Sequence, residues 1–159
     1  MNKIIKNNIQ IISYREEFNR DFKEINYEWI EKYFTITELD KKAFNNPKKE
    51  ILDKGGYIYL AIHNNTPIGS IALEKITNNK YALTRMGVKS GYQGKEVGQS
   101  LMKIAIEKCN ELKLDILVLY TNQVLINALN LYFKNGFKVV SLDYVPYERA
   151  TIKMELKIE

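Results

Sequence analysis

The stretch Val88-Lys89-Ser90-Gly91-Tyr92-Gln93-Gly94-Lys95-Glu96-Val97-Gly98 joins the end of a strand-like segment to the start of a helix-like one. A helix start leaves backbone N–H groups without intrahelical acceptors and carries partial positive charge, so it suits a phosphate. Gly94 and Gly98 would let the backbone approach a pyrophosphate with no Cβ in the way. An ordinary turn can contain the same glycines, so the stretch has to be read with its flanks.

Immediately upstream, residues 57–62, 68–76 and 81–88 are rich in β-branched and aromatic side chains and read as three strands. Asn64-Asn65-Thr66-Pro67 and Thr77-Asn78-Asn79 separate them with good turn chemistry, which predicts an antiparallel meander. Further back, Phe18, Phe22, Ile25, Trp29 and Tyr33 recur at helical spacing within residues 15–34. A second, shorter helical piece is expected over 41–52, interrupted at Asn45-Asn46-Pro47 and ended by Gly55-Gly56.

Downstream, a helix is expected over 98–112, with Leu101, Ala105, Cys109 and Leu112 on one face. The apolar run 116–120 suits a strand buried on both faces. A further helix carries Leu125, Ala128, Leu129, Tyr132 and Phe133, with Gly136 where a helix C-terminal glycine belongs. Residues 137–141 and 151–158 read as two last strands, the final one alternating Ile152, Met154, Leu156 and Ile158 with polar residues. A strand–helix–strand passage after a meander predicts an α/β (α+β) fold, with a mixed, mostly antiparallel central sheet flanked by helices. With no repeat or linker, residues 1–159 are expected to form a single domain.

Composition narrows the function classes. Apolar residues make up 45% and charged residues 27%, ordinary globular values that argue against disorder. No apolar run reaches the roughly 18 residues of a membrane span, and Lys6, Asn7, Asn8 and Gln10 interrupt any leader-like block. The single cysteine, Cys109, excludes an internal disulfide and fits a reducing, cytoplasmic compartment. The net charge of +5 comes from 24 basic residues scattered among 19 acidic ones, a solvated surface rather than a nucleic-acid patch. The one histidine, His63, sits beside a turn, so neither a metal site nor a catalytic triad is expected.

With these flanks, residues 88–98 resemble the acyl-CoA signature of the GNAT superfamily of N-acyltransferases. A second match lies at Thr121-Asn122 followed by Ala128-Leu129-Asn130-Leu131-Tyr132-Phe133-Lys134-Asn135-Gly136-Phe137. The resemblance implies the GNAT fold, acetyl-CoA as co-substrate, no metal, and transfer of an acetyl group to a primary amine by direct attack. It implies that the backbone around Met86 and Val88 pairs with the pantetheine arm where two strands splay. It also implies that the amides of Gln93, Gly94, Lys95, Glu96, Val97, Gly98 and Gln99 hold the pyrophosphate. Asn122 and Asn127 stand where side chains reach the coenzyme. Lys134 either meets a phosphate or is simply solvated. Tyr132 is the implied general acid toward the departing thiolate; its place on an apolar helix face also fits plain packing.

Two departures from the family pattern stand out. Glu96 occupies a position where the signature most often has glycine, and Ala82 one where many relatives carry a glutamate. Thr84, Glu28 and Glu74 are candidate substitutes in proton transfer. For the acceptor, the resemblance points to Trp29, Tyr33 and Tyr147, with Tyr147-Glu148-Arg149 placed for recognition and Arg85 for pairing with an acceptor carboxylate. The acceptor is expected to be a small-molecule or peptide amine, with neither nucleic acid nor membrane as partner; a homodimer is left open. The competing expectation is a non-catalytic acyl-CoA-binding sensor or partner-binding module, which the two departures favour.

Overall fold

The meander and the strand–helix–strand passage join one sheet in the computed structural model, which describes residues 3–5, 8–94 and 96–159. The strands are β1 (Lys3–Ile5), β2 (Ile9–Ser13), β3 (Tyr57–His63), β4 (Thr66–Thr77), β5 (Lys80–Val88), β6 (Ile116–Thr121), β7 (Lys138–Val140) and β8 (Ile152–Lys157). They lie in the order β1-β2-β3-β4-β5-β6-β8-β7. Every neighbouring pair is antiparallel except β5 and β6, which the crossover through α3 (Val97–Glu111) makes parallel.

The helices divide between the two faces. On one, α1 (Asn19–Tyr33) and α2 (Glu38–Asn45) cover Ile58, Leu60 and Ala72 with Phe22, Ile30 and Phe44. On the other, α3 and α4 (Ile126–Lys134) cover Tyr59, Ile71, Leu83 and Leu117. Thr37 caps α2 in a reciprocal pair with Asp40, the side chain of each accepting from the other's backbone N–H. Among the described residues, no helix is long and apolar enough to cross a membrane.

Several expectations need correction. β1 and β2 had no sequence signal, because β2 is short and does not alternate. Ile11 faces the α3 side and Ile12 the α1 side, so both faces are buried in five residues. In α1 the buried set is Phe22, Ile25, Asn26 and Ile30, and Tyr33, one step further round, is 47% exposed. α4 docks through Ala128, Leu129, Leu131 and Tyr132, leaving Phe133 53% exposed. β8 buries Lys153 beside Met154, because that strand too is covered on both faces over its middle.

Candidate active site

A bulge in β5 organises the site. Ser70 pairs with Gly87 and Ala72 with Thr84, so β5 spends three residues where β4 spends two. Arg85 absorbs the extra residue in the left-handed region, at φ 49°. Thr84 and Arg85 therefore both face α1 and α2, while Met86 and Val88 pack on the α3 side. A buried chain of hydrogen bonds pins the bulge. Asn26 Nδ2 donates to the Phe22 carbonyl (2.9 Å) and to Ser70 Oγ (2.9 Å), and Ser70 Oγ donates to the Arg85 carbonyl (2.8 Å). Trp29 Nε1 closes the chain onto Asn26 Oδ1 at 3.0 Å. The indole lies against Gly87, where a Cβ would come within 2.7 Å of it, so this position has no room for a side chain.

Beyond the bulge the sheet opens. β5 pairs with β6 from Lys80 to Ala82 and no further, while β6 continues along β8 to Thr121. The stretch of β5 past Ala82 thus presents a backbone edge that β6 does not use. On the α3 side the chain turns through Gly91 (φ 92°) and Gly94 (φ 76°), with open space where either Cβ would lie. Gly98 follows in the first turn of α3, where an added Cβ would meet Leu131 and Met86 at ordinary contact distance, 3.4 and 3.5 Å. The first amides of α3 have no intrahelical acceptor; the ladder starts with Ser100 donating to the Glu96 carbonyl. Free strand edge, open turn and helix start together fit an extended ligand ending in phosphates.

The α1 side holds a cavity of about 470 Å³. Its floor includes Ala82, Thr84 and Arg85 of β5, and its walls include Trp29, Phe34, Tyr147 and Arg149. Behind it Asp40 is fully buried and saturated. Oδ1 accepts from Arg85 Nη1 (3.0 Å) and Arg149 Nη2 (2.8 Å), and Oδ2 from Arg149 Nη1 (2.9 Å) and the Thr37 backbone (3.0 Å). Burial alone would push its carboxyl up, but these hydrogen bonds and the two guanidinium charges outweigh it and hold the carboxyl at about 2. Glu74 enters from β4, directly opposite Ala82, and accepts from the Thr84 hydroxyl. Arg85 Nε, 3.7 Å from Glu74, is buried with no hydrogen-bond acceptor.

The structure brings together Trp29, Arg85 and Tyr147 in this cavity, and Met86, Val88, Val97 and Gly98 around the head of α3. Gln93 and Gly94 lie exposed in the turn, where Gln93 Nε2 donates to the Val88 carbonyl at 3.1 Å. Lys95 lies outside the described residues. Glu96 caps α3 in the left-handed region, at φ 63°, with its residue exposed, which is why glycine suits this position. The Gln99 side chain ties α3 to α4 through reciprocal bonds with Asn135, at 3.0 and 2.9 Å. Asn127 and Lys134 are exposed on α4. Tyr132 is buried against Phe137, and burial pushes its phenol up to about 12.

Three placements depart from expectation. Asn122 spends its side chain on the Arg149 carbonyl (2.9 Å) and the Val124 N–H (3.0 Å), and lines the cavity. Tyr33 lies under the Lys32 ammonium (5.3 Å) at the outer end of α1, and Phe34 lines the cavity instead. Arg85 is already paired with Asp40. Glu28 accepts both the backbone N–H and the hydroxyl of Ser90, anchoring the turn to α1 (2.8 and 3.1 Å). His63 Nδ1 bonds the Tyr92 hydroxyl at 2.8 Å. Asp40, Asn26, Ser70 and Gly87 were not singled out in the sequence; each meets, besides any local partner, one distant in the chain.

Comparison with known proteins gives a consistent picture. Residues 14–137 match the family model described as acetyltransferase (GNAT) family. Over 102 residues the chain is 30% identical to the uncharacterized N-acetyltransferase YvbK of Bacillus subtilis (strain 168). That match covers 62% of this chain and 66% of the relative, just under two thirds of its length. A GNAT-family acetyltransferase from Staphylococcus aureus Mu50 superposes with a TM-score of 0.88 at 25% identity, covering 95% of this chain and 99% of that one. A PaiA N-acetyltransferase from Thermoplasma acidophilum, solved with coenzyme A, shares the fold with a TM-score of 0.73 at 24% identity, over 94% and 98% of the two chains.

Proposed function

The chain belongs to the acetyltransferase (GNAT) family, and from that premise we propose that it moves an acetyl group from acetyl-coenzyme A to a primary amine, residues 1–159 acting as one domain. The observation that carries this reading is the edge of β5 that β6 leaves unpaired past Ala82, which runs from the cavity floor at Ala82, Thr84 and Arg85 to the turn that leads into α3. Acetyl-coenzyme A supplies the activated thioester. The amides of residues 93–99 bind its phosphates, and the β5 edge from Met86 to Val88 orients the chain that follows.

Tyr132 holds its proton at neutral pH, since burial raises the phenol to about 12, and so has a proton to give a departing thiolate. Transfer is direct. Cys109 is fully buried, and burial pushes its thiol up to about 12, which leaves it a poor nucleophile. An attacking amine must first lose a proton. A lysine-like amine near 10.4 stands about 3.4 units from neutrality at pH 7, a deficit of about 4.6 kcal/mol. Glu74, held by Thr84 on the cavity floor, accepts that proton directly or through water. The single buried cysteine fits a cytoplasmic site of action.

A second reading, acyl-CoA binding without turnover, draws on Glu96, whose carboxylate stands at the head of α3 where the signature favours glycine. Calorimetric titration with acetyl-coenzyme A, together with release of the free thiol in the presence of an amine panel, separates the two. Binding with amine-dependent release is the expected result. Binding without release from any amine supports the second reading, and absence of binding rejects both.

A further inference from the structure

The cavity under α1 is unevenly charged. Lys80, Arg85 and Arg149 line it, against the single carboxylate of Glu74, with Asp40 behind as a second, while the Lys75 side chain turns to the other face of the sheet beside Gly55. Three cations thus meet two carboxylates, and the buried carboxylate has no capacity left. Both Asp40 oxygens already accept two hydrogen bonds each, one of the four coming from the Thr37 backbone.

The two guanidiniums offer five N–H donors each, and three of these reach Asp40. Arg85 Nε is left without an acceptor although its side chain is only 7% exposed, and Glu74 lies beyond hydrogen-bond reach of it. A buried donor of this kind is costly unless a ligand satisfies it. Arg149 is the more accessible of the pair, at 13%. Its guanidinium lies over the rings of Tyr147 (5.2 Å) and Trp29 (5.8 Å), and Asn122 fixes its backbone. Planar, oriented and supported from behind, it is built to meet another carboxylate.

We infer that the acceptor carries a carboxylate in addition to its amine, and that Arg149 is the residue that recognises it. The inference rests on the proposed acetyltransferase reading and narrows its substrate class. Polyamines are disfavoured, because an excess of positive charge repels them. A cavity of about 470 Å³ lies within the range of small-molecule sites, so the acceptor is an amino acid or a similarly small amine-bearing acid.

Trp29 is the chain's one tryptophan and lies in the cavity wall, so its fluorescence reports occupancy without turnover. The full chain would be titrated with matched pairs, each an L-amino acid and its carboxamide, covering aliphatic, aromatic and acidic side chains. Dipeptides with free and amidated C-termini, spermidine and plain acetate complete the set. At least one free acid should bind ten or more times more tightly than its amide, a difference of about 1.4 kcal/mol. Arg149→Gln should reduce that preference to within threefold, and Arg149→Lys, which keeps the charge without the fork, should leave an intermediate value. Tm measurements on both variants establish that they are folded, and the lysine variant keeps the test open if the glutamine variant is not.

Dipeptide acids binding better than free amino acids would move the acceptor to peptide C-termini while keeping the carboxylate. Amides or spermidine binding as tightly as acids, or no probe producing a saturable change, would overturn the inference. Acetyl-coenzyme A binding, measured in parallel, keeps the two readings apart. If it is intact and the acid preference is missing, only this inference fails. If it is absent, the acetyltransferase reading fails whatever the acids do.

Discussion

Glu74 on β4 lies directly across the ladder from Ala82 on β5, so the two share one face of the sheet and the carboxylate enters the cavity from the neighbouring strand. Many relatives are expected to carry a glutamate where this chain has Ala82; under the proposed function Glu74, which accepts from the Thr84 hydroxyl, takes that part from the neighbouring strand. Glu74→Gln should lower kcat/KM about 10²-fold or more near pH 7, within the usual range for general acid–base groups. The loss should shrink as pH approaches the amine's own pKa, where no base is needed. A deficit that stays constant from pH 7 to 10 would make Glu74 structural.

Tyr132→Phe removes one hydroxyl and keeps the ring that packs on Phe137. Turnover should fall at least about tenfold while acetyl-coenzyme A affinity stays within about threefold. Because burial raises the phenol to about 12, Tyr132 should produce no alkaline limb in the wild-type rate below about pH 10. A wild-type rate in the variant, with chemistry shown to be rate-limiting, would return Tyr132 to the core.

Asp40 ties α2 to β5 and to the loop before β8. Its carboxyl is held at about 2 against an ordinary 3.8, so the folded state binds its proton less readily than the unfolded chain. The sign follows: the contribution is fully present above pH 4 to 5 and is lost as pH falls through 2, amounting to about 2 kcal/mol. Asp40→Asn should destabilise the protein by about 3–5 kcal/mol at pH 7, because two buried guanidiniums lose their partner. Denaturant melts from pH 5 down to 2 should show that gap narrowing. A gap independent of pH would contradict the coupling.

Glu96 bears a side chain at φ 63°, where an L-residue is strained by about 1–2 kcal/mol. Comparing Glu96→Gly with Glu96→Ala cancels the side chain's own contacts. The glycine variant should be the more stable by about 0.5–1 kcal/mol, after glycine's larger unfolded-state entropy is counted. Glu96→Gln should change acetyl-coenzyme A affinity less than about fivefold, the size of a like-charge contact in water-like surroundings. A hundredfold gain in calorimetry would show that this carboxylate suppresses binding, and the non-catalytic reading would then rank first.

Local patterns were legible wherever one residue type answers to one local need. The meander of β3, β4 and β5 followed from β-branched runs and asparagine turns, and α1 and α3 from apolar spacing. Gly94 and Gly136 take positive φ values of 76° and 93°, in a turn and just past the end of α4. The motif at 88–98 located the strand-to-helix turn because its chemistry is backbone chemistry, confined to consecutive residues. β2 was not legible, since five residues buried on both faces have no period to detect.

By itself, then, the sequence determined the order of elements from α1 onward, the strand-to-helix turn and the family. The long-range meetings were decided only by the tertiary structure. Asp40 and Arg149 are 109 residues apart, and nothing local to either announces a buried ion pair. The extra residue in β5 is visible only against β4, and it is this bulge that puts Arg85 beside Thr84 on the cavity face. Likewise the register of β4 on β5, rather than any motif, sets Glu74 opposite Ala82. The physical reason is common to all three. Propensity and periodicity act between neighbours in the chain, whereas charge compensation and side-chain direction in a sheet depend on which strand or helix arrives alongside.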